Sequence, residues 1–485
     1  MRQATVVDVR PALNVVASVI RWLSLAYLLP LGVALFYREN PWPYLIPFGL
    51  AAVLGLAGER LIRAPKELGV REGFLVVALA WLTIAAFGAI PYALDHHNVV
   101  DAYFESMSGF TTTGATILTD IENEPKGLLM WRQFTQWLGG MGIIVLAIAI
   151  LPKLSVGGRQ LMETEAPGPN VEKLTPRIYQ TARALWKVYV GVSLVEIGTL
   201  KLLGMSFFDS VAHTFSTMAT GGFSTHALSL ADFSPAIQWA TLVFMLLAGT
   251  NFALMYRVFC GRFVALKHDS EFHFYLGLIV ISGLLIALLL PGMPLEARLR
   301  HGLFQAISII TTTGFASVDF EQWSNVLKLV LLALMFFGGC AGSTGGSIKI
   351  VRSLLVFKFI FREWRKVIHP QAVLPVRLGR QTVSENAING IMAFAVLYVT
   401  TFAVGSLLLL LDTTVQGLDL SVLEGVSMVA ATLGNVGPAF GVAGPMASYA
   451  QLPDTAKLLL TFLMWAGRLE LFPVIVLMTR EYWRR

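Results

Sequence analysis

Charge is what this 485-residue chain has least of: Asp, Glu, Lys and Arg together make 14%, against 55% hydrophobic residues and a mean hydropathy of +0.67. A soluble domain needs a charged surface, so this balance excludes one and places the chain in a bilayer. Cysteine is almost absent. Cys260 and Cys340 lie far apart in apolar sequence and form no C-x-x-C pair, which excludes a disulfide framework or a thiolate metal centre and leaves both as packing residues. The histidines form no ligand constellation: His96, His97 and His226 fall in external loops, and His268, His273 and His369 near cytoplasmic ends. No nucleophile, acid–base pair or metal set is grouped in the apolar segments, so the chain is not expected to be an enzyme and needs no cofactor of its own. The net charge of +6 comes without a basic patch interleaved with aromatics. It reads as membrane topology and attraction to anionic lipid headgroups, with no nucleic-acid partner.

What the chain does have is apolar runs near the ~20 residues that cross a hydrocarbon core. Ten are counted, near 12–36, 44–62, 73–94, 129–151, 184–205, 236–260, 272–291, 326–348, 388–411 and 455–478. The first is too long for a signal h-region and has no small-residue cleavage site after it, so it is kept as a membrane helix. Lys and Arg concentrate in the segments that an inside N-terminus makes cytoplasmic, which predicts both termini in the cytoplasm.

Between these runs a short polar stretch recurs four times: Thr111-Thr112-Thr113-Gly114, Ala219-Thr220-Gly221-Gly222, Thr311-Thr312-Thr313-Gly314 and Ala431-Thr432-Leu433-Gly434. The near-even spacing predicts an all-α integral membrane protein in which four pseudo-symmetric repeats of outer helix, pore half-helix, filter and inner helix surround one central pore. Two extra N-terminal membrane helices occupy 1–68; the repeats follow at 69–155, 156–268 (with its preceding cytoplasmic linker), 269–365 and 366–485. Non-helical backbone at membrane depth is tolerated only where protein or a wet cavity surrounds it, so the four stretches should line the pore. The cytoplasmic loops at 153–187 and 352–380 are too short for soluble domains; each is a place for a regulator to dock or a solvated connector.

Moving a cation through hydrocarbon requires oxygens in place of its hydration shell, and backbone carbonyls supply them without a buried countercharge. Glycine can take φ > 0 and turn carbonyls toward an axis, threonine hydroxyls satisfy the flanking backbone, and Asp/Glu rings are missing from the stretches. Four half-helices aiming their C-terminal ends inward would add converging partial negative charge. The candidate filter residues are therefore Thr111, Thr112, Thr113, Gly114, Thr220, Gly221, Gly222, Thr311, Thr312, Thr313, Gly314, Thr432, Leu433, Gly434 and Asn435. In the second stretch either Gly221 or Gly222 can be the key glycine; aligning Phe223 with Phe315 selects Gly222.

The third inner helix is interrupted by Gly338-Gly339-Cys340-Ala341-Gly342-Ser343-Thr344-Gly345-Gly346-Ser347, five glycines in ten residues, each costing up to ~1 kcal/mol in a helix. It should unwind below Gly314 as a movable gate. Tight helix packing through small residues is the alternative, and a phosphate-binding loop lacks its lysine. Gly139-Gly140-Met141-Gly142 fits packing better than gating. Arg468 stands out as the one basic residue well inside a spanning run, either paired with a carboxylate such as Glu470 or a positive barrier near the gate. Glu196 and Asn251 read as helix–helix glue.

Taken with the segment from Met130-Trp131-Arg132-Gln133 to Gly142, the stretch Thr220–His226 and Gly434-Asn435-Val436-Gly437-Pro438, these motifs make the chain resemble the bacterial TrkH branch of the Trk/Ktr/HKT potassium-transport superfamily over nearly its whole length. The resemblance implies a potassium-uptake protein of the inner membrane and a homodimer with one pore per subunit. It implies K⁺ at Thr112, Gly114, Gly222, Thr312, Gly314 and Gly434, a gate at 338–347 with Arg468 close beneath, and a cytosolic regulatory ring of the TrkA type that alone binds nucleotide. With one glycine per stretch, modest discrimination of K⁺ and Rb⁺ from Na⁺ is expected. An ion-coupled symporter using alternating access is the alternative.

Overall fold

In the computed structural model, residues 8–62, 70–95, 97–149, 174–379 and 381–484 are described. His96 and residues 153–173 of the first cytoplasmic loop lie outside them. Among the described residues the chain is mainly helical, with one two-residue hairpin, Arg377–Leu378 with Gln381–Thr382. Among the described residues five helices are long and apolar enough to cross a membrane, and the number is seven where each of two bent pairs counts as one span.

The N-terminal pair, Arg10–Ala26 with Leu28–Tyr37 and then Trp42–Leu61, packs at close range because small residues sit at the crossing. A side chain at Gly55 would meet the Arg21 backbone nitrogen at 2.6 Å, and Arg21 pairs with Glu59 at 2.5 Å. Tyr27 joins this pair to the rest by stacking on Trp131 with 4.5 Å between ring centres and donating to Phe87 O at 2.8 Å.

After it, one order of elements recurs four times. Long helices Val70–Leu94, Leu174–Leu202, Ser270–Leu289 and Glu385–Val415 are each followed by a short one: Val99–Phe110, Phe207–Ala219, Leu295–Ile310 and Val422–Leu433. Local chemistry starts the short helices. Asn98 accepts from Val100 N, Ser206 from Asp209 N, and Ser421 forms a capping box with Glu424. Their C-terminal halves are buried on every side, Glu105 to Phe110 and Ala306 to Ile310 among them. Leu202, Ile281, Leu288 and Leu407 on the long helices are exposed, the inside-out distribution of a protein solvated by lipid.

The closing helices differ from expectation. Lys126–Ala149 is continuous, but the second breaks between Pro235–Ala248 and Phe252–Phe259 with a bend of 104°. The fourth breaks between Asp454–Arg468 and Phe472–Met478 at 113°. The third, expected to unwind over 338–347, ends slightly earlier at Leu334, and the chain stays non-helical until Ile350–Ile368. Asn251 is not helix–helix glue: it caps the second half of its broken helix, accepting from Ala253 N and Leu254 N. Glu196 is wholly buried and faces Thr217 of the second short helix. Cys340 is buried as expected, whereas Cys260 is exposed beyond the end of Phe252–Phe259.

Candidate functional site

Each short helix ends in the same backbone turn, and that turn sets the register of the four Thr/Gly stretches. Immediately after the last αR residue the chain takes φ > 0, and two residues later it does so again: Thr112 (53°) and Gly114 (84°), Thr220 (53°) and Gly222 (77°), Thr312 (60°) and Gly314 (80°), Asn435 (54°) and Gly437 (102°). The residue between donates its N–H to the carbonyl five residues back: Thr113 to Ser108, Gly221 to Ser216, Thr313 to Ser308 and Val436 to Ala431, at 2.7–2.8 Å. Both patterns assign Gly222, not Gly221, to the second stretch.

In the fourth stretch the same patterns fall on Asn435 and Gly437, with Gly434 outside them. Gly434 lies at φ −80° as the cap of Val422–Leu433, and Thr432 and Leu433 belong to that helix. Asn435 and Gly437 hold the two positive-φ positions. Asparagine tolerates the left-handed region better than other non-glycine residues, and it stands where the other stretches place threonine.

Tertiary packing then closes these turns on one another. A Cβ on Gly114 would collide with Gly221 O, one on Gly222 with Thr313 O, one on Gly314 with Val436 O, and one on Gly437 with Thr113 O. Each glycine is required twice, by its φ and by the neighbouring carbonyl. The order 114, 222, 314, 437 and back to 114 is a closed ring. All four border one cavity of about 60 Å³, which also touches Thr116, Ser224, His226 and Tyr449. A larger recess of about 580 Å³ opens beside Gln238, Arg300 and Asp319 and touches none of the four. Threonine hydroxyls serve the turns from within: Thr111 Oγ1 donates to Met107 O at 2.6 Å and lies 2.8 Å from Thr113 Oγ1, with the same pair repeated at Thr311 and Thr313.

On one side of the ring sits a buried ion pair that sequence reasoning missed. Arg132, on Lys126–Ala149, binds Glu105 of the first short helix at 2.7 Å, Ser224 O at 3.0 Å and Thr116 Oγ1 at 3.1 Å, and stacks on the Phe223 ring. Glu105 in turn accepts from Thr116 Oγ1 and Ile117 N, both at 2.9 Å. Arg468 is therefore not alone among basic residues inside spanning segments. The signal was a lone arginine in an apolar run; its carboxylate lies 27 residues earlier, where no periodicity links the two.

On the other side lies the 338–347 loop. Gly346 N donates to Thr312 Oγ1 at 2.7 Å, Thr344 Oγ1 donates to Met218 O at 3.1 Å, and Thr220 Oγ1 donates to Thr344 Oγ1 at 3.2 Å. Asn435 also abuts Gly346, while Thr112 Oγ1 is buried with no hydrogen-bond partner. Close approach accounts for the glycines. A Cβ on Gly338 would strike Gly346 O, and one on Gly345 would stand 3.0 Å from Thr311 O. Gly339 presses on Ser343 Oγ; Gly342 takes φ 73° and its carbonyl accepts from Phe252 N; Ser347, at φ 50°, donates to Met335 O at 2.7 Å. Lys349 Nζ hydrogen-bonds Gly345 O.

Arg468 reaches this loop from the fourth closing helix, donating to Thr344 O at 2.8 Å and to Gly139 O at 3.4 Å. Its Nε has no hydrogen-bond partner, and no carboxylate pairs with it among the described residues. Glu470, the expected partner, pairs instead with Arg352 at 2.5 Å. Gly139 is a packing glycine: a Cβ there would collide with Phe110 O.

Comparison with known proteins extends these observations. The family described as "TrkH: Cation transport protein" matches residues 51–295 and 287–484. The chain is 39% identical over 495 residues to the Trk system potassium uptake protein TrkH of Halomonas elongata, covering 99% of this chain and 100% of that one. It is 38% identical over 487 residues to the protein of the same name in Escherichia coli K12, with 98% and 99% covered. Among solved structures, the potassium transporter TrkH from Vibrio parahaemolyticus matches with a TM-score of 0.89 at 36% identity, over 99% of this chain and 100% of that one.

Proposed function

The chain belongs to the TrkH family of cation transport proteins, and on that premise we propose that it takes up K⁺ through a pore on the axis of the glycine ring. The observation that carries the reading is the closed ring itself: four glycines at positive φ, each against the carbonyl of the next, around one cavity. Carbonyls of Thr113, Gly221, Thr313 and Val436, with those of the ring glycines, would replace the water around the ion. Four short helices ending at the ring add about half an electron of partial negative charge each, which favours a cation over an anion. Thr112, Thr220, Thr312 and Asn435 form the next layer of the filter. The five segments 1–68, 69–155, 156–268, 269–365 and 366–485 are the N-terminal addition and the four repeats around that pore.

In this reading the 338–347 loop is the gate. Below the ring it holds the backbone across the ion path, and Arg468 adds a positive charge to the barrier. Opening exchanges the contacts that face the ring, Gly346 to Thr312, Thr344 to Thr220 and Met218, and Arg468 to Thr344. A cytosolic nucleotide-binding partner of the TrkA type, acting on a homodimer in the inner membrane with both termini cytoplasmic, would drive that exchange. One observation favours the symporter reading as well: three of the four closing helices are interrupted, and broken helices are the usual substrate sites of alternating-access carriers. Reconstitution in liposomes separates the two. Single-channel currents that select K⁺ and Rb⁺ modestly over Na⁺ support the pore; carrier-rate flux tied to a H⁺ or Na⁺ gradient overturns it.

A further inference from the structure

We propose that the first repeat carries a divalent transition-metal site of the Zn²⁺ class, with His97 Nε2 and the carboxylates of Asp95 and Glu124 as ligands. Ligand atoms of the three lie within 4.8 Å of one another. Two stretches of backbone bring them together. Tyr92 O accepts from Asp95 N at 3.1 Å and His97 N at 3.2 Å, closing the end of Val70–Leu94, while Glu124 comes from the turn it closes onto Ile121 O, just ahead of Lys126–Ala149.

Two idle polar atoms point beyond mere grouping. His97 Nε2 is buried and has no hydrogen-bond partner, yet Glu124 Oε1 stands 3.7 Å from it. That separation is too long for a hydrogen bond and close to the roughly 3.4 Å edge of a tetrahedron built on ~2.1 Å metal–ligand bonds. The Tyr92 hydroxyl, on the residue whose carbonyl closes this turn, is wholly buried and also lacks a hydrogen-bond partner.

The donor set selects the metal class. One imidazole with two carboxylates suits Zn²⁺, whereas Ca²⁺ takes six to eight oxygens and Mg²⁺ an octahedron of them. The His97 and Glu124 side chains remain 22% and 17% exposed, so an ion can enter from solvent. A bound ion would brace the outer helix against the loop that leaves the first ring turn. A second group, Glu122, His226 and Asp232, meets the same distance limit. There no atom is buried without a hydrogen-bond partner, Glu122 and Asp232 are exposed, and Glu122 already accepts from Ala227 N at 2.7 Å. It is the internal control.

The test titrates the detergent-purified full chain with ZnCl₂ by calorimetry and with CoCl₂ by visible absorption. Wild type should bind Zn²⁺ and give the intense bands of tetrahedral Co²⁺. Loss of a ligand must cost at least what loss of an outer-shell partner does, so His97→Ala should weaken Zn²⁺ by at least about tenfold and abolish the bands, and the isosteric Glu124→Gln should do the same. His226→Ala should change neither. No binding by wild type, retention in both His97→Ala and Glu124→Gln, or loss in His226→Ala would overturn the assignment.

Discussion

Two buried arginines flank the glycine ring, and they are satisfied in opposite ways. Arg132 has a carboxylate, a carbonyl, a hydroxyl and an aromatic face; Arg468 has two carbonyls, one of them at 3.4 Å, and an idle Nε. A buried charge without a countercharge is expensive, so the two sides differ in how firmly they are held. Arg132 ties the exits of the first and second ring turns into one framework. Arg468 is one anchor of a loop that Ala341 N also ties to the Glu271 carboxylate, Lys349 to Gly345 O and Cys340 N to Gly249 O. The contrast teaches that one side of the ring meets its buried charge with a carboxylate and the other with backbone carbonyls alone.

The largest expected effect breaks the rigid side. Arg132→Met would leave the fully buried Glu105 unpaired at a cost of about 3–5 kcal/mol, read as a lower thermal midpoint in detergent. Adding Glu105→Gln should recover part of the loss. Arg468→Met orphans no carboxylate and should lower the midpoint by less; equal losses for the two arginines would erase the distinction between the two sides.

A smaller effect tests the ring register. At Gly437 a side chain meets both strained φ, costing about 1–3 kcal/mol, and Thr113 O. Gly437→Ala should therefore cut ⁸⁶Rb⁺ uptake by about a hundredfold, while Gly434→Ala, at ordinary φ but with Ala430 O 2.8 Å from the added carbon, should cost clearly less. The reverse ranking would restore the 432–435 register. The smallest effect concerns the loop. A hydrogen bond from a charged group is worth about 1.5–3 kcal/mol, so Arg468→Met should raise basal uptake without partner by about tenfold.

The difference between the two sides also explains what was legible in the chain. Apolar runs and three Thr-Gly turns are local patterns, so most helices and the positions of Gly114, Gly222 and Gly314 follow from them. The 338–347 break follows from five glycines in ten residues. The positive-φ pair of the fourth turn was harder to read because matching Thr-x-Gly favours Gly434, whereas the fold counts from the helix end; Asn435 followed two residues later by Gly437 was the usable sign. Arg132 with Glu105, and the breaks at Asn251 and beyond Arg468, depend on partners distant in sequence.

The central claim is that the four ring turns form one cation site. Tl⁺ soaked into crystals of the protein tests it most directly through its anomalous signal. A peak on the ring axis, bordered by the carbonyls of Thr113, Gly221, Thr313 and Val436, is the predicted result. Ordered Tl⁺ elsewhere with none on that axis would contradict it.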